Sequence, residues 1–116
     1  MLAGGVCGFL GFGGIGIATA RLVRCLGMRV HAIRRSPLAD EPADWIGTPD
    51  RFDELLAASD VLVVSLPLTR ATRGLIGARE LGLMGHDAIL VNLARGEIVD
   101  ERALYEHLIL SANPER

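Results

Sequence analysis

The stretch Val6-Cys7-Gly8-Phe9-Leu10-Gly11-Phe12-Gly13-Gly14-Ile15-Gly16 decides the fold. Val6 to Leu10 is a short apolar run of strand length, and Ile15, Ala18, Thr19, Leu22, Val23 and Leu26 then recur at helical spacing. Between strand and helix, Gly11-Phe12-Gly13-Gly14-Ile15-Gly16 fits the spacing GxGxxG. The first glycine of such a turn, Gly11, permits the tight bend; the second, Gly13, lets a pyrophosphate approach the backbone; the third, Gly16, lets helix and strand pack closely. A helix that starts there offers first-turn amides and the positive end of its dipole to phosphate oxygens. The plainer reading is a glycine-rich turn with no ligand. The agreement of strand, glycines and helix favours phosphate binding.

Working outward, Gly27 closes the helix, and Arg29 to Ile33 reads as a second strand stopped by Arg34-Arg35-Ser36-Pro37. Residues 38–49 form a breaker-rich loop in which Trp45-Ile46 could make a short strand. Phe52, Leu55 and Leu56 mark a short helix, and Val61-Leu62-Val63-Val64 is an unbroken apolar run suited to a strand covered on both faces. Ala78 to Met84 reads as a helix, Ala88 to Leu93 as another strand, and Asp100 to Leu110 as an amphipathic helix. Strands alternating with helices predict an α/β fold, a Rossmann-type doubly wound parallel sheet. With 116 residues the chain is one domain, and half its residues are hydrophobic, enough to bury a core.

The end of the second strand is chemically distinctive. A dinucleotide fold ordinarily places a carboxylate there for the adenosine ribose hydroxyls, about 20 residues beyond the glycines. Here the corner is Ile33-Arg34-Arg35-Ser36. Two guanidiniums and a hydroxyl can hold a 2′-phosphate by charge-assisted hydrogen bonds, so NADP(H) is favoured and NAD(H) stays open. Arg34 and Arg35 read as an ordinary solvated loop are the alternative.

Other classes are disfavoured by composition. A formal charge of −2 supplies no field for a nucleic-acid backbone or an anionic membrane. Cys7 and Cys25 lack CxxC spacing, and His31, His86 and His107 share no ligand spacing with them, so no metal is expected. The uncharged first twenty residues end in Ala18-Thr19-Ala20 like a cleavage site, yet they lack a basic start and hold seven glycines. A cytoplasmic location is therefore the default expectation.

Two further runs carry a resemblance. Ser65-Leu66-Pro67-Leu68-Thr69-Arg70-Ala71-Thr72-Arg73-Gly74-Leu75-Ile76 resembles the PLTxxTxxLI signature of the D-isomer-specific 2-hydroxyacid dehydrogenases, and Val91 to Leu104 resembles that family's VNxxRGxxVDexAL stretch. With Gly8 to Gly16, the match runs in the expected order through most of residues 4–108. It implies hydride transfer between a nicotinamide and a small 2-oxo or 2-hydroxy acid, in an enzyme of the glyoxylate or hydroxypyruvate reductase or phosphoglycerate dehydrogenase kind. By the same match Gly14 and Ile15 lie beside the pyrophosphate, Leu66 and Pro67 beside the adenosine half, and Leu93 and Ala94 near the nicotinamide. Arg95 matches the catalytic arginine, whose planar guanidinium can hold a carboxylate and polarise the neighbouring carbonyl. A structural ion pair is the alternative role for Arg95.

The resemblance also implies missing parts. The family's general acid, a histidine held by a glutamate, falls downstream of the matched region, and His107 inside an amphipathic helix does not replace it. The substrate domain has no counterpart, so a partial domain over residues 1–116 is expected, truncated at its C-terminal end and inactive alone. In the strand order 3-2-1-4-5-6, the Ala88 to Leu93 strand would then stand at a sheet edge, favouring self-association; the family resemblance suggests a homodimer. A non-catalytic dinucleotide sensor or corepressor-like module, or a non-functional fragment, are the readings left beside the dehydrogenase.

Overall fold

The computed structural model describes residues 4–34, 42–67, 69–85, 87–93, 98–100 and 102–103. In chain order the elements are β1 (Val6–Leu10), α1 (Gly14–Cys25), β2 (Arg29–Ile33), β3 (Trp45–Gly47), α2 (Phe52–Ala58), β4 (Val61–Val64), α3 (Ala78–Leu83) and β5 (Ile89–Asn92). The five strands form one sheet in the order β3-β2-β1-β4-β5, with every pairing parallel. The chain builds outward from β1 in one direction, then returns to build on its other side. Adjacent crossovers thus diverge between β1 and β4, the place where a doubly wound sheet opens a crevice.

All five β1 residues are buried, as a central parallel strand requires. Alternate side chains feed two cores. Leu10, Ile33, Leu62 and Val64 join Leu55 and Leu56 of α2 and Leu81 of α3 in one; Phe9, Val30, Ala32 and Val63 join Ala20 of α1 in the other. Burial pushes the Cys7 thiol up to about 11, so it packs as a small apolar group instead of supplying a thiolate.

Strand register is fixed by a device used twice. Asp60, just ahead of β4, accepts the Val6 amide at 2.8 Å and donates its own amide to the Val6 carbonyl at 2.9 Å. Asp44, just ahead of β3, accepts the Val30 amide at 2.7 Å and donates to the Val30 carbonyl at 2.8 Å. Each aspartate therefore satisfies two backbone groups where its strand begins, which sets the pairing before the first ladder bond. At the far end of α1, Gly27 takes φ +87° and the Met28 amide bonds Val23 O at 3.2 Å while the Gly27 amide bonds Arg24 O at 3.0 Å. That pair of bonds is the glycine-terminated helix end expected from the sequence.

The short β3 is held by Trp45, whose ring contacts the His31 ring at 5.6 Å and lies under the Arg51 guanidinium at 4.9 Å. Burial, with help from Arg29 and against Asp44, lowers the His31 pKa, so the ring against Trp45 is the neutral form at neutral pH. This stack fixes the turn of 3-10 helix at Pro49–Arg51 that delivers Pro49 and Phe52 to the crevice.

β5 is flanked on one side alone among the described residues, and Ile89 and Val91 are 50% and 36% exposed. Among the described residues β5 is therefore an edge strand, with Ile89 and Val91 on its more exposed face. Of the helix expected over Asp100 to Leu110, Arg102 and Ala103 are helical and residues 104–110 lie outside the described residues, as do His86 and His107. Ile98 and Val99 return to the core beside Ile76 through a parallel bridge, with the Ile76 amide on Ile98 O at 3.1 Å. No helix among the described residues is long and apolar enough to cross a membrane.

Gly8 shows how closely α2 approaches the sheet. A Cβ there would overlap Ser59 Oγ, a buried hydroxyl that donates to Leu55 O at 2.7 Å, and would stand 3.1 Å from Leu55 Cδ1. Gly8→Ala should cost about 1–3 kcal/mol by overpacking, whereas helical Gly82, with open space around its Cβ position, should gain up to about 1 kcal/mol on substitution by Ala. Urea midpoints of the two variants check this contrast; equal shifts would contradict it.

Candidate dinucleotide site

At the C-terminal ends of β1, β2 and β4 a pocket of about 430 Å³ opens. Its size lies within the range of small-molecule sites. One wall is the turn Gly11, Phe12 and Gly13; a second is Ile33 and Arg34 at the end of β2; a third is Ser65, Leu66 and Pro67 leaving β4. Pro49, Phe52, Thr72 and Leu75 complete it from the flanking turns.

The glycines divide by what surrounds them. Gly11 has φ +90°, and a Cβ on it would meet Leu66 Cδ2 at 2.9 Å. Both its conformation and the close approach of β4 exclude a side chain. Gly16 packs so near the turn that a Cβ would stand 3.0 Å from Gly11 O and 3.4 Å from Ser65 Oγ. Gly13 and Gly14, in contrast, have no atom of the rest of the protein, beyond their own chain neighbours and helix backbone, within 4 Å of the Cβ position. Their lack of a side chain leaves open space, which suits an approaching ligand and serves no internal packing.

That open space adjoins the start of α1. Gly13 is the N-cap and brings no side-chain cap; the first turn holds no acidic residue; the Ile17 amide makes the first helical bond, to Gly13 O at 2.8 Å. The amides of Gly14, Ile15 and Gly16 therefore precede the helical ladder, and an uncapped start of this kind favours an anion. Ser65 holds the turn in place, its amide on Leu10 O at 2.9 Å and its hydroxyl donating to Gly11 O at 2.8 Å. A dinucleotide's pyrophosphate fits this arrangement of open glycines and amides, with the apolar walls left for its rings.

Of the residues that the sequence singles out, Gly11, Gly13, Arg34, Leu66 and Pro67 meet around the pocket. Gly16 packs behind it, and Gly14 and Ile15 open α1 beside it, Ile15 with its side chain 66% exposed. Leu93 follows β5, its amide on Val64 O at 2.8 Å, and is not among the lining residues. Arg35, Ser36, Ala94 and Arg95 lie outside the described residues. Among the lining residues not singled out from the sequence are Ser65, Thr72 and Leu75, all within the quoted run Ser65 to Ile76, and Pro49 and Phe52, which reach the pocket through tertiary folding that no local pattern announces. No group of three or more potential metal ligands occurs among the described residues.

A parallel sheet with a glycine turn, an uncapped helix start and a pocket at its switch point defines a Rossmann-like dinucleotide-binding domain. The chain belongs to the D-isomer specific 2-hydroxyacid dehydrogenases: the model of that family's NAD binding domain matches residues 1–111. It is 45% identical over 107 residues to a glyoxylate reductase from Thermococcus gammatolerans, covering 90% of this chain and 31% of that relative. Among solved structures, a D-isomer specific 2-hydroxyacid dehydrogenase from Xanthobacter autotrophicus, in complex with NADPH and MES, superposes with TM-score 0.85 at 36% identity over 92% of this chain and 44% of that one. Another from Lactobacillus delbrueckii, in its NAD complexed form, gives 0.84 at 31% identity, covering 91% and 31% of the two chains. The chain thus spans less than half the length of each relative.

The two kinds of glycine should separate on substitution. Gly11→Ala should lose about 1–3 kcal/mol from the left-handed backbone and the Leu66 contact. Gly13→Ala, extended at φ −92° and unobstructed, should stay within about 0.5 kcal/mol of the unaltered chain. Thermal and urea unfolding check this; a destabilised Gly13→Ala would show that Gly13 serves packing after all.

Proposed function

We propose that the chain is the cofactor-binding part of a D-2-hydroxyacid dehydrogenase that prefers NADPH and serves hydride transfer between the nicotinamide and a small 2-oxo or 2-hydroxy acid. The observation that carries this reading is the pocket itself, lined by the open Gly13 at the start of α1 and by Arg34, which stands where a carboxylate would select NAD(H). The pyrophosphate takes the amides of Gly14, Ile15 and Gly16. The adenosine lies against Leu66 and Pro67, and Arg34, Arg35 and Ser36 receive the 2′-phosphate. A guanidinium there adds a charge-assisted hydrogen bond worth about 1.5–3 kcal/mol, enough for a tenfold preference or more.

The bound cofactor would supply the hydride, and Leu93 and Ala94 would flank its nicotinamide. Arg95 would hold the substrate carboxylate and draw charge from the carbonyl as it becomes an alkoxide. Proton delivery to that oxygen needs a general acid, which residues 1–116 do not furnish in this reading, so turnover belongs to a longer assembly. Homodimer formation, which the family resemblance suggests, and a cytoplasmic setting complete the proposal.

Calorimetric titration of the purified 116-residue chain with NADPH and with NADH tests the proposal. The expected result is at least about tenfold tighter binding of NADPH, a margin abolished in the Arg34→Ala/Arg35→Ala double variant. Equal affinities would overturn the preference. A folded chain that binds neither would overturn the cofactor-binding reading, and 2-oxo acid reduction by this chain above an Arg95→Ala control would overturn its inactivity.

A further inference from the structure

Thr72 stands at the pocket with both hydrogen-bonding directions of its hydroxyl committed to the segment that leaves β4. It accepts the Thr69 amide at 2.7 Å and donates to Pro67 O at 2.8 Å. The turn behind it is closed by the Thr72 and Arg73 amides on Thr69 O at 3.2 and 2.9 Å, and by the Leu75 amide on Thr72 O at 3.1 Å. Thr72, Pro67 and Leu75 line the pocket together. Pro67 has no amide, so its carbonyl is the one backbone hydrogen-bonding group by which it can be held, and the Thr72 hydroxyl takes it.

Upstream, the Ser65 bonds and the packing of Leu66 against Gly11 hold the wall; among the described residues the Thr72 hydroxyl is what holds the Pro67 carbonyl. We infer that Thr72 is a positioning residue for the dinucleotide, its hydroxyl holding the Pro67 carbonyl and the Thr69 amide so that the pocket wall is set before the ligand arrives. A wall ordered in advance spares the ligand the entropy of ordering it. The role requires a hydroxyl and not the methyl beside it, so serine can fill it while valine, of nearly the same shape, cannot.

This inference rests on the dinucleotide reading, and its test keeps the two apart. NADPH is titrated calorimetrically into the unaltered chain and into Thr72→Val, Thr72→Ala and Thr72→Ser, each at a temperature where circular dichroism shows it fully folded. Thr72→Val and Thr72→Ala should bind roughly tenfold more weakly, and Thr72→Ser within about twofold of the unaltered chain. Weaker binding by a fully folded chain, recovered by serine, distinguishes positioning from a contribution to folding alone. A folded Thr72→Val or Thr72→Ala that binds like the unaltered chain overturns the inference while leaving the dinucleotide reading intact. A Thr72→Ser chain as weak as about tenfold overturns it too, even where the apolar variants fail to fold. No NADPH binding by the unaltered chain removes both.

Discussion

The close approach of the backbone beyond Leu10 to that beyond Val64 is the constraint on which the rest of the molecule depends. Leu10 pairs with Ile33 on one side and Val64 on the other, and is the last residue of a strand with no exposed member. Beyond it the chain must leave the sheet at once, in a conformation with φ +90°, beneath Leu66 and with its carbonyl taken by Ser65. Gly11 alone meets those three conditions together. Once the turn is made there, α1 must begin over the end of β1, and the crossovers to β2 and to β4 part on either side of it.

The pocket is a consequence of that parting. Parallel strands direct their C-terminal ends to one side, and the reversal of strand order between β1 and β4 leaves the gap unfilled. What the sequence then adds is chemical character. Gly13 and Gly14 leave the α1 amides accessible, the uncapped helix start keeps them available to an anion, and Leu66 and Pro67 supply an apolar wall. The Asp60 clamp between β4 and β1 and the Asp44 clamp between β3 and β2 act where the strands begin, at the end of the sheet opposite the pocket, and hold those two registers.

Much of this was legible from residue order because local and global demands coincide. The glycine spacing, the apolar runs and the breaker at Gly27 each impose a backbone conformation that the fold also requires, and the short strand at Trp45 emerged from a breaker-rich loop on two apolar residues alone. The place of β5 at the end of the described sheet matches the expectation drawn from the usual strand order. Pro49 and Phe52 were not legible as pocket residues. They line the same pocket as Arg34, on a turn whose Arg51 packs over Trp45, which in turn contacts His31, a set of contacts among residues on separate elements with no shared periodicity. Ser65 and Thr72 stood within a recognisable signature, yet their roles lie in hydroxyl bonds to particular carbonyls and an amide, which spacing does not encode.

The central claim is that the Gly13 turn and the first amides of α1 are the seat of the cofactor's phosphates. Backbone amide resonances of the isotopically labelled chain, followed by nuclear magnetic resonance as NADPH is added, test it most directly. The account predicts saturable shifts concentrated at Gly13, Gly14, Ile15 and Gly16, with the amides of Arg79, Glu80 and Leu81 at the start of α3 unmoved. Saturable binding that leaves the four loop amides in place, or that shifts the start of α3 instead, would contradict it.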